Sequence, residues 1–427
     1  MPDIDLDAEL AEMRESARRS MPVPAFGLVR DRHKQRTVRR RMQIGAAVAV
    51  LVVSLAVPLL RAGLAPESRP PAAPPAPVPD EQQIPDGPFV LNPDFADAEH
   101  GYAIRGNCPG RKYVNCTGEL LATDDGGRRW ESREIPDLSF SKGQLPVPHV
   151  LGPQEIALDW TRPDPANNRV GRRAFSEDGG QTWRTVELPH VPTESVPAIP
   201  DGGELVRACA ELVGGGQQCA ARGFAVLMPG TGESALLANA PELEDVEASR
   251  APTADGRWWL VGRAPETRDW TIAVSDDDGR TWVTSTLDWQ GSALDWSIAT
   301  HDGTLYASVT GSLPFGGEEP GLLAIFRSTD DGRSWEQTWH PDEDKAPRET
   351  WGQVVVANDG NLLINAVGGE GRTYLSSDGG STFTEVERRF NGGAYWTRIG
   401  WMAFAAEVHH GHQFSPDGID WRELKIG

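Results

Sequence analysis

One short turn recurs along this chain, and its recurrence constrains the fold more than any other feature. TDDGGRRW at 123–130, SEDGGQTW at 176–183, SDDDGRTW at 275–282, STDDGRSW at 328–335 and SSDGGSTF at 376–383 share one pattern, and SPDGIDW at 415–421 is a contracted copy. Their terminal aromatics are 53, 99, 53, 48 and 38 residues apart. The interval of 99 is nearly twice 50, which places a degenerate copy at GTGESALL, 230–237. A reactive motif is needed once, whereas a motif that returns at regular spacing builds the fold.

A second marker supports the count. A glycine turn ahead of a hydrophobic alternation occurs in HGYAIRG, PDGGELV, ADGRWWLVG, HDGTLYASV and NDGNLLINAV, and more loosely in LGPQEIALDW and IGWMAFAA. The turn glycines are Gly101, Gly152, Gly202, Gly256, Gly303, Gly360 and Gly400, so seven units are expected, including one whose octet is degenerate. Each unit reads as strand, glycine turn, strand, longer loop, strand, octet turn, strand. Four short strands in 40–50 residues are the signature of a propeller blade. The content of 46 Gly and 34 Pro fits a chain made mostly of turns and short strands. An all-β, seven-bladed β-propeller is therefore expected over residues 89–427.

The pattern S/T-x-D-x-G-x-T/S-W resembles the Asp box, the bacterial neuraminidase repeat of sialidase-like propellers. Physical chemistry gives the octet a local role. Short Asp and Ser side chains accept from stranded backbone N–H groups, glycine takes positive φ, and the terminal aromatic covers apolar area between sheets. Asp125, Asp178, Asp277, Asp330, Asp378 and Asp417 are thus expected to clamp turns, with Trp130, Trp183, Trp282, Trp335, Phe383 and Trp421 packing beneath them. The acidic run in SDDDGRTWVTS lacks the Glu of a calcium-binding loop.

Resemblance to sialidases implies further residues: an Arg in an F/Y-R-I/V-P motif, two more Arg to clamp a carboxylate, an acid/base Asp and a Tyr–Glu pair. The nearest counterpart of the first is YAIRGNC, where Gly106 follows Arg105 and breaks the pattern. Tyr102, Tyr113, Tyr306, Tyr374 and Tyr395 mostly sit in strand patterns, and no arginine triad can be assembled. GxSxG and HExxH are absent. No catalytic residue and no cofactor is assigned. In EVHHGHQ, His410 and His412 would share a strand face and are weak candidates for a metal, with a solvated hairpin as the plainer reading. Trp160, Trp258, Trp396 and Trp401 are candidate ligand contacts, since indoles present flat surfaces to sugars and proteins; core packing is the alternative use.

The segment ahead of the repeats reads differently. Residues 1–41 hold ten Arg or Lys against seven Asp or Glu and form a short tail. Met42 to Leu60 is uncharged and nineteen residues long, enough to cover roughly 28 Å as a helix. A membrane-spanning signal anchor at 42–61 is expected in preference to a cleaved signal peptide. QRTVRRR on its N-terminal side keeps the tail cytoplasmic and the repeats outside. Residues 62–88 form a Pro-rich stalk. Cys108 with Cys116 and Cys209 with Cys219 are expected as two disulfides in preference to a zinc site, since no CxxC spacing occurs. The net charge of −21 argues against nucleic acid as a partner. The expected function is a membrane-anchored, non-catalytic binding or scaffolding module for an envelope protein or glycan. A sialidase-like or other glycoside hydrolase with a diverged site is the alternative.

Overall fold

The computed structural model describes residues 87–108, 117–136, 146–163, 169–187, 192–207, 224–291, 293–314, 320–342, 346–348, 350–366, 372–390, 392–404 and 411–426. All lie in one unit, Asp80–Gly427. Among them are twenty-eight strands in seven groups of four: blade 1 (87–133), blade 2 (147–187), blade 3 (195–237), blade 4 (244–286), blade 5 (295–339), blade 6 (350–386) and blade 7 (393–425). The fold is an all-β, seven-bladed propeller. In six blades the four strands follow one another as an antiparallel meander. The first strands of blades 6 and 7 touch through a parallel bridge between Gly352 and Ala394.

Blade 3 departs from this plan. Its first segment, Ser195–Val196, pairs in parallel with the last strand, Ser234–Leu237, on the far edge of the sheet. The second strand, Glu204–Arg207, is left as the opposite edge and packs beside the first strand of blade 4. Where an octet is expected, residues 228–233 make a tight turn, with Met228 N donating to Glu233 O at 2.8 Å and Gly232 N to Met228 O at 2.9 Å. Gly232 has φ of +62°, and a Cβ there would lie 2.4 Å from the Phe175 ring of blade 2.

The apolar residues do not form one core. They form a ring of interfaces, because each blade buries both of its faces. Tyr102, Ile104 and Leu120 of blade 1 meet Val150, Ile156 and Leu158 of blade 2, while Ala103 and Leu121 face Met402, Phe414 and Leu424 of blade 7. Alternation along the strand sends successive side chains to opposite neighbours. This is why Trp258–Arg263 is buried at nearly every position instead of alternating with polar residues. The ring closes by side-chain packing between blades 1 and 7. Phe95 lies 5.9 Å from Phe414, Arg422 donates to Gly126 O at 2.9 Å, and Tyr395 Oη donates to Pro93 O at 2.9 Å.

Two expectations require correction. Among the described residues there is no disulfide, and no helix is long and apolar enough to cross a membrane. Cys116, Cys209, Cys219, the side chain of Cys108 and residues 42–61 lie outside the described residues. Backbone ladders hold the two hairpins in which the cysteine pairs were expected. Rungs run from Gly101–Thr123 to Asn107–Thr117 in one, and from Glu204–Leu227 to Arg207–Phe224 in the other. The first strand begins at Gly87.

Candidate functional site

The octet aspartates stay within their own turns. In blade 2, Ser176 Oγ donates to Asp178 at 2.8 Å and accepts from Gly180 N at 2.8 Å. Asp178 also takes the N–H of Gln181 and Thr182 and the hydroxyl of Thr182 at 2.6 Å. The Thr182 hydroxyl and N–H hold Asp178 at a pKa of about 2. Asp125, Asp277, Asp330, Asp378 and Asp417 make matching bonds and are likewise lowered. Trp130, Trp183, Trp282, Trp335, Phe383 and Trp421 pack into the interfaces between blades.

The chemistry gathers at the centre. A cavity of about 430 Å³ is lined by all seven blades, most of its wall coming from first strands and the turns after them. Blade 1 supplies Asp94, blade 3 Glu204, the strand and turn of blade 4 Glu247 and Arg250, blade 5 Asp295 and Trp296, and blade 7 Tyr395, Trp396 and Arg398. Blade 7 also reaches across the ring. Trp396 Nε1 donates to Pro252 O at 2.8 Å, and Arg398 donates to the carbonyls of Gly202 and Gly203 at 3.2 and 3.1 Å. These bonds join blade 7 to blades 3 and 4 on the side that carries the glycine turns.

From this wall a line of alternating charge runs into blade 2. Arg250 Nε donates to Glu204 Oε1 at 2.6 Å, and His149 Nδ1 is 2.9 Å from the same oxygen. His149 Nε2 is 3.5 Å from Asp159, which Arg173 grips with two bonds of 2.5 and 2.6 Å. Arg173 also donates to Gly232 O and Ser234 Oγ of blade 3. Burial works to raise Glu204, but Arg250 and then His149 outweigh it and hold the group at about 2. Burial disfavours the imidazolium of His149, yet Glu204 and Asp159 together raise its pKa.

Asp94 has the opposite setting. Burial raises its pKa to about 6; Arg250 opposes that and Glu204 adds to it. Its carboxylate accepts from Phe95 N at 2.8 Å. Burial also raises Asp295, against a hydrogen bond with Glu247.

Of the four tryptophans singled out from the sequence, Trp396 lines the cavity. Trp258 and Trp401 are buried in the interfaces of blades 3–4 and 6–7, and Trp160 is half-buried on the strand Ile156–Pro163 of blade 2. His412 is buried and lines the cavity, whereas His410 lies outside the described residues. Among the described residues no group of three or more His, Cys, Asp or Glu is placed to hold a metal ion. Arg105 pairs with Glu119 on blade 1 and is not part of the cavity wall. Asp94, Glu204, Glu247, Arg250, Asp295 and Arg398 were not singled out from the sequence. Four of them flank turn glycines: Asp94 precedes Gly101, Glu204 follows Gly202, Arg250 precedes Gly256 and Arg398 precedes Gly400.

No family model and no curated protein sequence matches the chain. Solved structures do. The β-propeller domain of the Trilobed protease from Pyrococcus furiosus matches at 9% identity and a TM-score of 0.41, covering 80% of this chain and 97% of that one. At such identities the likeness is one of fold alone, and the chain itself is an all-β, seven-bladed propeller. Trypanosoma rangeli sialidase matches at 9% identity and a TM-score of 0.37, with 80% and 54% covered. A puromycin-hydrolyzing peptidase of Mycobacterium tuberculosis matches at 14% identity and 0.40, with 79% and 53% covered. The propeller spans about half the length of these last two.

Proposed function

We propose that this chain is a non-catalytic Asp-box propeller that binds an envelope glycan or protein through its central channel. The observation that carries this reading is the convergence of all seven blades on one cavity of about 430 Å³. That volume falls in the range of about 300–1,000 Å³ usual for ligand sites. Several of its polar groups are already bonded to protein. Arg250 donates to Glu204 and to the carbonyl of Pro148, and Arg398 donates to two backbone carbonyls, so protein acceptors hold both guanidinium groups in place. Glu204 Oε1 is shared between Arg250 and His149, which removes it as a ready nucleophile. Such a wall suits recognition better than turnover.

One observation favours the second reading, a glycoside hydrolase with a diverged site. Asp94 at about 6 and Glu204 at about 2 are carboxyl groups whose surroundings separate their pKa values, as a general acid and its partner require. A glycan array and a pull-down with the full chain decide between them. Capture without cleavage, weakened in Trp396→Ala, is the expected result. Hydrolysis of an arrayed sugar, abolished in Asp94→Asn, would establish the hydrolase instead.

A further inference from the structure

We infer that His149 is a proton-operated latch for blade 3: charged, its ring fastens that blade to blade 2, and neutral, it lets the blade open. The device is independent of what the channel binds.

The seam between blades 2 and 3 is poor in apolar cover. Leu151, Ala157, Phe175 and Val186 meet Leu227, with Val206 at the margin. Elsewhere the octet aromatic of a blade enters the seam with the blade before it, as Trp183 does at 1–2, Trp282 at 3–4 and Trp335 at 4–5. Blade 3 has no octet, and among the described residues no such aromatic packs at 2–3. What crosses this seam is charged. Arg173 donates to Gly232 O and Ser234 Oγ at 3.1 and 2.8 Å, and His149 Nδ1 meets Glu204 Oε1 at 2.9 Å. Arg250 of blade 4 ties into the same oxygen and returns to Pro148 O of blade 2 at 2.7 Å. The side chains of His149, Glu204 and Arg173 are buried, so losing a partner there is costly.

The two ring nitrogens make this hold depend on one proton. Nδ1 faces Glu204 at 2.9 Å and Nε2 faces Asp159 at 3.5 Å, so each looks at a carboxylate oxygen. A neutral imidazole has one N–H and one lone pair, and it serves one carboxylate while turning the lone pair on the other. Only the imidazolium serves both. Arg250 Nη2 also lies 3.4 Å from Nδ1, and offers a neutral ring an N–H in place of the bond to Glu204. That exchange gives up the link to blade 3. The charged groups around the ring are Glu204, Arg250 and Asp159 with its partner Arg173, and Asp94 and Tyr395 lie beyond Arg250. Glu204 and Asp159 are held low and guanidinium groups stay charged, so His149 is the member that changes state near neutrality. Burial favours the neutral ring, but the two carboxylates outweigh it. The hold is therefore present below about pH 6.5 and is lost as pH climbs through the raised value.

Hydrogen exchange on the full chain, read by mass spectrometry and corrected for the chemical effect of pH, tests the latch. Between pH 6.5 and 9, protection of Glu204–Arg207, Phe224–Leu227 and Ser234–Leu237 should fall at least about fivefold relative to Thr304–Gly311 and Gly321–Ser328 of blade 5. His149→Gln should show the low protection at both pH values, with blade 5 unchanged. Asp159→Asn takes one carboxylate from the ring, and should move the midpoint of the change to lower pH by about one unit; it decides the matter if His149→Gln does not fold. Blade 3 protection that ignores pH, or that falls in step with blade 5, overturns the latch. So does pH dependence retained in His149→Gln, or a midpoint that Asp159→Asn leaves in place.

Discussion

Asp94 and Asp178 are both aspartates close to turns, and their surroundings push them in opposite directions. Asp178 gathers two N–H groups and two hydroxyls, all of which favour the charged form. Its folded pKa is depressed, so its contribution to stability is present above about pH 4 and is lost as pH falls toward 2. Asp178→Ala should cost roughly 1 kcal/mol, as for a lost helix cap, with the cost fading below pH 3 in urea melts. Asp94 is raised, so ionising it weakens the fold as pH climbs from about 4 to about 6. Asp94→Asn should therefore stabilise the chain at pH 7 by roughly 1–3 kcal/mol and change little at pH 4. A thermal melt at both values checks this. Glu204 and His149 bracket the same range from opposite sides. The depressed Glu204 loses its contribution as pH falls toward 2, and the raised His149 loses its own as pH climbs past about 6.5. Glu204→Gln should leave His149 and Arg250 without their shared negative charge, and should lower the midpoint most between pH 5 and 6.

Blade 3 is the element with least slack. It has no octet, and Gly232 does part of the work that the octets do elsewhere by seating a bare backbone against the preceding blade. Gly232→Ala puts a methyl group within the Phe175 ring's contact distance at a positive φ, and should cost roughly 1–3 kcal/mol by overpacking. The same substitution at Gly230, where a Cβ meets nothing within 4 Å, should cost less. A pair of urea midpoints separates packing from backbone conformation, because both glycines have positive φ. The position of Ser195–Val196 was not legible in the sequence. Two residues carry no periodicity, and their parallel pairing with Ser234–Leu237 joins segments that are far apart in the sequence.

For the whole molecule, stability rests on closing the ring. No strand is shared between the first and last blades among the described residues, so closure depends on packed side chains. Phe95 is buried against Trp130 and Phe414 at that seam. Phe95→Ala should cost about 3–5 kcal/mol, and limited proteolysis should then cut near the seam before it cuts within blades 3 to 5. The channel is equally a property of the assembled ring. Trp396 and Arg398 are bonded to blades 3 and 4, more than 140 residues away in sequence.

The number of blades could be read from the residues alone, because a turn that satisfies its own hydrogen bonds is local physics written in eight letters. The channel could not. Asp94, Glu204, Arg250 and Arg398 are spread over more than 300 positions of the chain, and nothing local distinguishes them from other charged residues beside turns. Only the circular arrangement aims them at one space. There, burial and mutual repulsion give each group a character that its sequence neighbours do not supply.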